Sequence, residues 1–347
     1  MMCTVDLARS LPGASGARLV AASGGQFVSY LFVFAALLLL VMFFVANKFV
    51  QKRLGSEPKD ALLYSCIRSF ISALIFFLVY VITVGGLPRI NTFSLLLSIA
   101  LASLVCAYTL FGFRIMNYGS LSVYTVFLML GGMIIPYLYG VIWLNEGISV
   151  FRIIGIVLMI ISLFFPLIGN SKNGAEKAQN AAKKRVIFGL ICFAVFILNG
   201  LVSVVSKTHA LKMSDQRPVL ITFVMLCALS NGVLSLIALL VLKAVSSVKG
   251  AKRADNGREA RAKVSFFSVL KPVLPAIALA AAFDGASFFF QQLGASQLPA
   301  SVMYPIQTGG SIVLTALAGF LIFKEKQTKI ALIGLAITFA STFLFLF

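Results

Sequence analysis

Two stretches decide the fold: 143–165, WLNEGISVFRIIGIVLMIISLFF, and 321–345, LIFKEKQTKIALIGLAITFASTFLF. Each ends one apolar run, turns at a single acid, and starts a second apolar run. The acids are Glu146 and Glu325, and a glycine follows each nine residues later, Gly155 and Gly334. Sliding the chain by 179 residues lays 120–168 on 299–347 without a gap, and ten of the 49 positions are identical. They include Ser122/Ser301, Gly131/Gly310, Gly140/Gly319, Glu146/Glu325, Gly155/Gly334 and Ser162/Ser341. Composition alone would give roughly four in so skewed a chain. The glutamate match weighs most, because the chain has only five glutamates.

Working outward, the chain has 347 residues, 60% apolar and 11% charged, with mean hydropathy +1.03. A soluble domain could not hide so much apolar surface, and a disordered chain would not carry it. A bilayer core of about 30 Å needs about 20 apolar residues per helix. Ten runs qualify: 27–46, 62–84, 93–113, 119–144, 150–169, 186–206, 218–242, 272–290, 299–323 and 329–347. Helix is the spanning form, since lipid leaves open strands unsatisfied and the ten-residue alternation of barrel strands is absent. The polar stretch 170–185 divides the chain near its middle. The predicted fold is therefore an all-α, multi-pass membrane protein. It has a polar N-terminal segment (1–26), a five-helix repeat (27–169), a linker (170–185) and a second five-helix repeat (186–347). Five is odd, so the second repeat enters the membrane inverted, and ten transmembrane helices form around a pseudo-two-fold axis in the membrane plane.

The formal charge is +19, from 29 Lys+Arg against 10 Asp+Glu. The basic residues sit in short connections, as in loops facing anionic lipid and cytoplasm, so no nucleic-acid partner is expected. Loops 1–2, 3–4, 5–6, 7–8 and 9–10 carry about +2, +1, +4, +6 and +2, while the N-terminus and the other loops carry about +2 or less each. The positive-inside rule then places both termini outside. The five cysteines are odd in number and form no CxxC, so neither a disulfide framework nor a metal site is expected. The one histidine, His209, reads as a solvated side chain in a polar connection.

This layout resembles the drug/metabolite transporter superfamily, specifically EamA-type transporters. The half-ends of that family read as a fourth helix, a Gly-Glu turn and a fifth helix with a central glycine. Glu146 with Gly155 and Glu325 with Gly334 match, whereas the residue before the acid is Asn145 or Lys324 in place of glycine. The family places a lysine after each half's first helix, which Lys48 and Lys207 resemble, and an Arg-Phe near the start of the second, which Arg68 in CIRSF approaches with Ser69 intervening. The resemblance implies a ten-helix secondary transporter or exporter with both termini inside, against the charge sums.

Several residues are candidates for substrate binding. Arg68 lies about seven residues into the second run, where a charge either serves transport or snorkels to the interface. Asp284, in ALAAAFDGASFFFQQ, cannot snorkel far on one methylene. It must face a wet cavity, find a partner or stay protonated, and a proton held there would suit transport; the alternative is a structural helix–helix hydrogen bond. Asn199, Gln307 and Thr308, with Gln291 and Gln292, are polar groups for the same space or else interhelical ties. Tyr124 and Tyr304 offer rings for an organic solute or act as core anchors. Helices four and nine carry corresponding interruptions, Gly131, Gly132 and Pro136 in one and Pro305, Gly309 and Gly310 in the other. Such pairs point to a central transporter site or to close packing of small residues. Glu146 and Glu325 read as acids favouring the N-terminal dipole of the next helix, with a gating ion pair as the alternative.

The expected function is a secondary carrier or exporter of a small organic solute, metabolite or drug-like, working by alternating access of the two halves. Protons are the candidate coupling ion, membrane lipid is the surrounding partner, and no cofactor is implied. The expected location is a prokaryotic plasma membrane. A membrane-embedded enzyme is a rival, although no H-E-x-x-H, P-loop or intramembrane aspartate pair occurs. A lipid scramblase or a pore without strict coupling is the other.

Overall fold

The computed structural model describes residues 14–54, 58–115, 121–169, 181–213, 217–251, 271–324 and 329–347. These form ten α-helices with no strand among the described residues. They are α1 (Ala14–Leu54), α2 (Pro58–Val84), α3 (Thr92–Ile115), α4 (Leu121–Trp143), α5 (Val150–Gly169), α6 (Ala181–Lys212), α7 (Arg217–Ala251), α8 (Leu274–Gln297), α9 (Ala300–Phe323) and α10 (Lys329–Phe343). A 3₁₀ turn, Leu344–Leu346, follows α10. Nine helices among the described residues are long and apolar enough to cross a membrane, and α5 contributes a shorter apolar segment, Val150–Phe165. Their outward faces carry Leu74, Leu78, Ile82, Ile142, Phe193, Leu240 and Phe320, all exposed. Only a hydrocarbon surrounding makes so apolar a surface stable, and the chain is an integral multi-pass membrane protein.

The helices alternate in direction, so the bundle has two ends. At the terminus end, α6 finishes beside the end of α8, where Lys207 meets Leu298. The turn after α4 meets the start of α9 there, and Arg152 of α5 reaches the Phe347 carbonyl. At the opposite end, which bears the basic connections, Val50, Tyr64, Val273 and Ile277 pack together and Phe49 meets Phe323.

The helix pairings follow a rule. Helix α1 packs on α8 as α6 packs on α3; α1 packs on α9 as α6 packs on α4; α3 packs on α7 as α8 packs on α2. Three further pairings, α2–α7, α4–α9 and α5–α10, join helices five apart in the order. Adding five to a helix number thus maps most of the packing onto itself. The α6–α8 and α7–α8 pairings depart from this rule, since α1–α3 and α2–α3 make no packing of comparable extent.

Small residues set the closest crossings. A Cβ on Gly131 would lie 2.1 Å from the Phe196 carbonyl oxygen, and one on Gly200 would lie 2.3 Å from the Ile135 Cδ1. Helices α4 and α6 therefore interlock reciprocally, each glycine taking the other helix's bulk. Pro136 and Pro305 are buried inside α4 and α9.

The two half-end turns share a backbone detail. Asn145 and Lys324 both have φ of 52°, in the left-handed region. The chain then ties back to equivalent glycines: the Glu146 N–H donates to the Gly140 carbonyl and the Lys324 N–H to the Gly319 carbonyl. Glycine is the residue best suited to that conformation. Asparagine tolerates it, whereas lysine bears a cost of about 1 kcal/mol. Lys324→Gly should raise stability by about 1 kcal/mol while Asn145→Gly changes it little. Thermal unfolding in detergent checks this, and a Lys324→Gly midpoint at or below that of the wild type would contradict the strain.

Candidate functional site

Helices α2, α7 and α8 build the polar centre. Along α2, Ser65, Ser69 and Ser72 recur at helical spacing, and α7 answers with Ser235 and Asn231. Ser65 and Ser235 share a hydrogen bond at 3.1 Å, and the Asn231 amide donates to the Ser69 hydroxyl at 2.9 Å. On α8, Gly285 lets α2 come close, since a Cβ there would lie 2.3 Å from a Phe76 ring carbon and 2.8 Å from the Ser72 hydroxyl. That approach carries the neighbouring Asp284 to Arg68, whose Nη1 donates to Asp284 Oδ2 in an ion pair. The side chains are 14% and 35% exposed. The Arg68 guanidinium also lies 5.2 Å from the centre of the Phe43 ring. A cation stacked on a ring and paired with a carboxylate is held in orientation from two sides.

This pair opens onto a cavity of about 320 Å³ lined by α1 (Leu40, Phe43), α2 (Arg68, Ser69, Ser72), α3 (Leu101, Val105, Tyr108), α6 (Val202, Ser203, Ser206), α7 (Val224, Cys227, Ala228, Asn231) and α8 (Asp284, Gly285, Ser287, Phe288, Gln291). The size is that of a small-ligand site, and the mixture of rings, hydroxyls and one charge pair is what orients an organic molecule. The contributing helices are the first three of each half.

The structure brings Arg68, Asp284 and Gln291 to this cavity. Asn199 stands apart, its amide donating to the Leu128 carbonyl at 2.8 Å and pressing on Gly132. Tyr124 is buried with Cys192 and Val195, and its hydroxyl donates to the Tyr108 carbonyl at 3.1 Å. Tyr304 lies next to the cavity without lining it, its hydroxyl donating to the Ser203 carbonyl at 2.8 Å. Gln307 is buried, and the Thr308 carbonyl accepts from the Ser311 hydroxyl at 2.9 Å. Gly309 faces Thr342 and Met159, and Gly310 faces Leu37, so these glycines serve helix contacts. Glu325 lies outside the described residues.

Two readings are corrected. Glu146 does not cap the helix that follows it. It holds the start of α9, where the N–H groups of Ala300 and Ser301 donate to its two carboxylate oxygens at 2.6 and 2.7 Å. The left-handed Asn145 turns the chain so that the acid faces the other half. His209 is not solvated: α6 continues past 206 to Lys212 and buries it completely. Its Nε2 shares a hydrogen bond with the Ser94 hydroxyl at 2.9 Å, and its ring stacks on Phe223 with centroids 3.5 Å apart. Asn231 and the serines lining the cavity went unread, since single serines in apolar runs carry no signal until their period of three to four is set against a facing helix.

No family model and no curated protein matches the chain. Among solved structures 28 chains match. One crystal structure of a protein aligns over 91% of this chain and 96% of its own with a TM-score of 0.65 and 14% identity. At that identity the likeness is one of fold.

Removing either member of the ion pair strands the other beside the cavity. Arg68→Met and Asp284→Asn should each cost about 1–3 kcal/mol of stability, and the double variant less than their sum. Thermal unfolding across the four proteins measures the coupling; strict additivity would show that the pair does not act as a unit.

Proposed function

We propose that the chain is a secondary carrier of a small organic solute, built from two inverted five-helix repeats that alternate access to the cavity at Arg68 and Asp284. The observation that carries this reading is the composition of the cavity wall: α1–α3 and α6–α8, the same three helices of each half, surround one solute-sized polar space. Repeats related by an axis in the membrane plane place such sites at their shared interface. The packing that maps onto itself when five is added to the helix number supports the repeat, as do the matched turns at Asn145 and Lys324. With helices alternating in direction and five to a half, the halves run oppositely. The EamA-type drug/metabolite transporter pattern accords with this architecture. Asp284 is the group for a coupling proton, exchanging its Arg68 partner for a proton or for a cationic group of the solute. We place the protein in a prokaryotic plasma membrane with its basic connections on the cytoplasmic side, following the charge bias.

Proteoliposomes preloaded with candidate metabolites and cationic drugs test the reading. A carrier should show saturable uptake and counterflow, and Asp284→Asn should lower proton-linked transport at least about tenfold, equivalent to 1.4 kcal/mol on the barrier. Non-saturating flux would indicate a pore, and turnover without flux an enzyme. Wild-type rates and pH dependence in Asp284→Asn would remove that residue from the mechanism.

A further inference from the structure

The turn joining α8 to α9 is gripped by two charges that come from elsewhere in the chain. Lys207 of α6 is 1% exposed, and its ammonium donates to the Ala295 and Leu298 carbonyls, both at 2.6 Å. Those are carbonyls that the end of α8 leaves without helical partners, at the negative end of its dipole. Two and three residues past Leu298, the N–H groups of Ala300 and Ser301, the first two of α9, donate to Glu146 at that helix's positive end. The cation and the anion thus hold one turn from both sides, and each belongs to a helix or loop outside α8 and α9.

The clasp stands immediately below the cavity. Ser206 and Gln291 line the cavity wall, while Lys207 and Gln292 are the next residues toward the terminus end. Gln292 is fully buried and donates to the Ser206 hydroxyl at 2.8 Å, which seals the same level. Around it, Val33, Ala210, Ala295, Leu298 and Met303 form one apolar cluster joining α1, α6, α8 and α9. At the basic end the described clusters stay apart: one joins α1, α2 and α8 through Val50, Tyr64 and Val273, and another joins α3, α4 and α6 through Tyr108, Tyr124 and Cys192. The α6–α8 pairing, moreover, lacks an α1–α3 counterpart of comparable extent.

We infer that Lys207 and Glu146 are positioning residues that lock the terminus end of the cavity shut, leaving the basic end as its mouth in this conformation. This rests on the carrier reading for its purpose, though not for its geometry. Releasing either charge frees the α8–α9 turn and shifts the population toward a form open at the terminus end.

Cys227 lines the cavity and serves as a native reporter once the other four cysteines are replaced by serine. In vesicles of defined orientation, a membrane-impermeant thiol reagent should modify Cys227 from the basic face and scarcely from the terminus face. Lys207→Met, which keeps the side chain's bulk, and Glu146→Gln should raise the terminus-face rate roughly tenfold or more. Gly140→Ala supplies a variant that alters no charge, because its Cβ would lie 2.4 Å from Glu146 Oε2 and displace the carboxylate; it should act in the same direction. A terminus-face rate within about twofold of the parent in Gly140→Ala and in every variant that retains a cooperative melt would overturn the lock, as would equal labelling of the parent from both faces. The readout needs no transport, so a protein that carries nothing would still answer it, and a working carrier with unshifted sidedness would fail the clasp alone.

Discussion

Hydrocarbon offers no hydrogen bonds, and that constraint arranges everything inside this bundle. Each polar side chain placed in a spanning helix has to find a partner, on the backbone of its own helix, on another helix or in a water-filled space. Ser65 finds Ser235, Asn231 finds Ser69, Asn199 finds the Leu128 carbonyl, and Gln292 finds Ser206. These ties fix which helices are neighbours and in what register, work that apolar side chains do poorly when the solvent is as apolar as they are. Arg68 and Asp284 obey the same rule at higher stakes. Their pairing across α2 and α8 keeps a full charge of each sign within the spanning region, beside a cavity of about 320 Å³.

How much of this was readable from the residues depends on whether the signal is local. Apolar run lengths are local, so each of the ten runs lies where a helix forms, although α1 reaches back to Ala14 and α6 starts at Ala181, inside stretches read as polar. Arg68 and Asp284 were conspicuous one at a time because charges in apolar runs are costly. That they meet was invisible, since 216 residues separate them and the meeting depends on Gly285 admitting Phe76 and Ser72. His209 misled for the opposite reason. Its neighbours Lys207, Thr208 and Lys212 look like a polar connection, yet Lys207 and His209 are buried because α3, α7 and α8 supply Ser94, Phe223 and the α8 carbonyls, while Lys212 stays exposed. Glu146 meets the start of α9 and not of the helix that follows it, because the chain turns at one left-handed residue, Asn145.

The glycines of α4 and α9 show how a pattern can be informative without stating what it is for. Gly131 and Gly310 are equivalent under the 179-residue shift, and each sits where another helix comes within contact, Phe196 of α6 in one case and Leu37 of α1 in the other. Small residues at these two places admit the α4–α6 and α1–α9 crossings. Lining the cavity falls to α1–α3 and α6–α8, while α4, α5, α9 and α10 form a scaffold closed on itself by the α4–α9 and α5–α10 pairings.

A chain whose halves pack alike would, if both adopted one shape, enclose a cavity with no preferred opening. The departures from the pairing rule are thus where a direction must come from. The two pairings named above both involve α8, packed on α6 and on α7, and the contact with α6 includes Lys207. On the carrier reading, the opposite conformation would transfer those contacts to α3, packed on α1 and α2 at the basic end. Lys48 is well placed for such an exchange: it lies at the basic end of α1, as Lys207 lies at the terminus end of α6, and its ammonium sits 4.2 Å from the centre of the Phe323 ring.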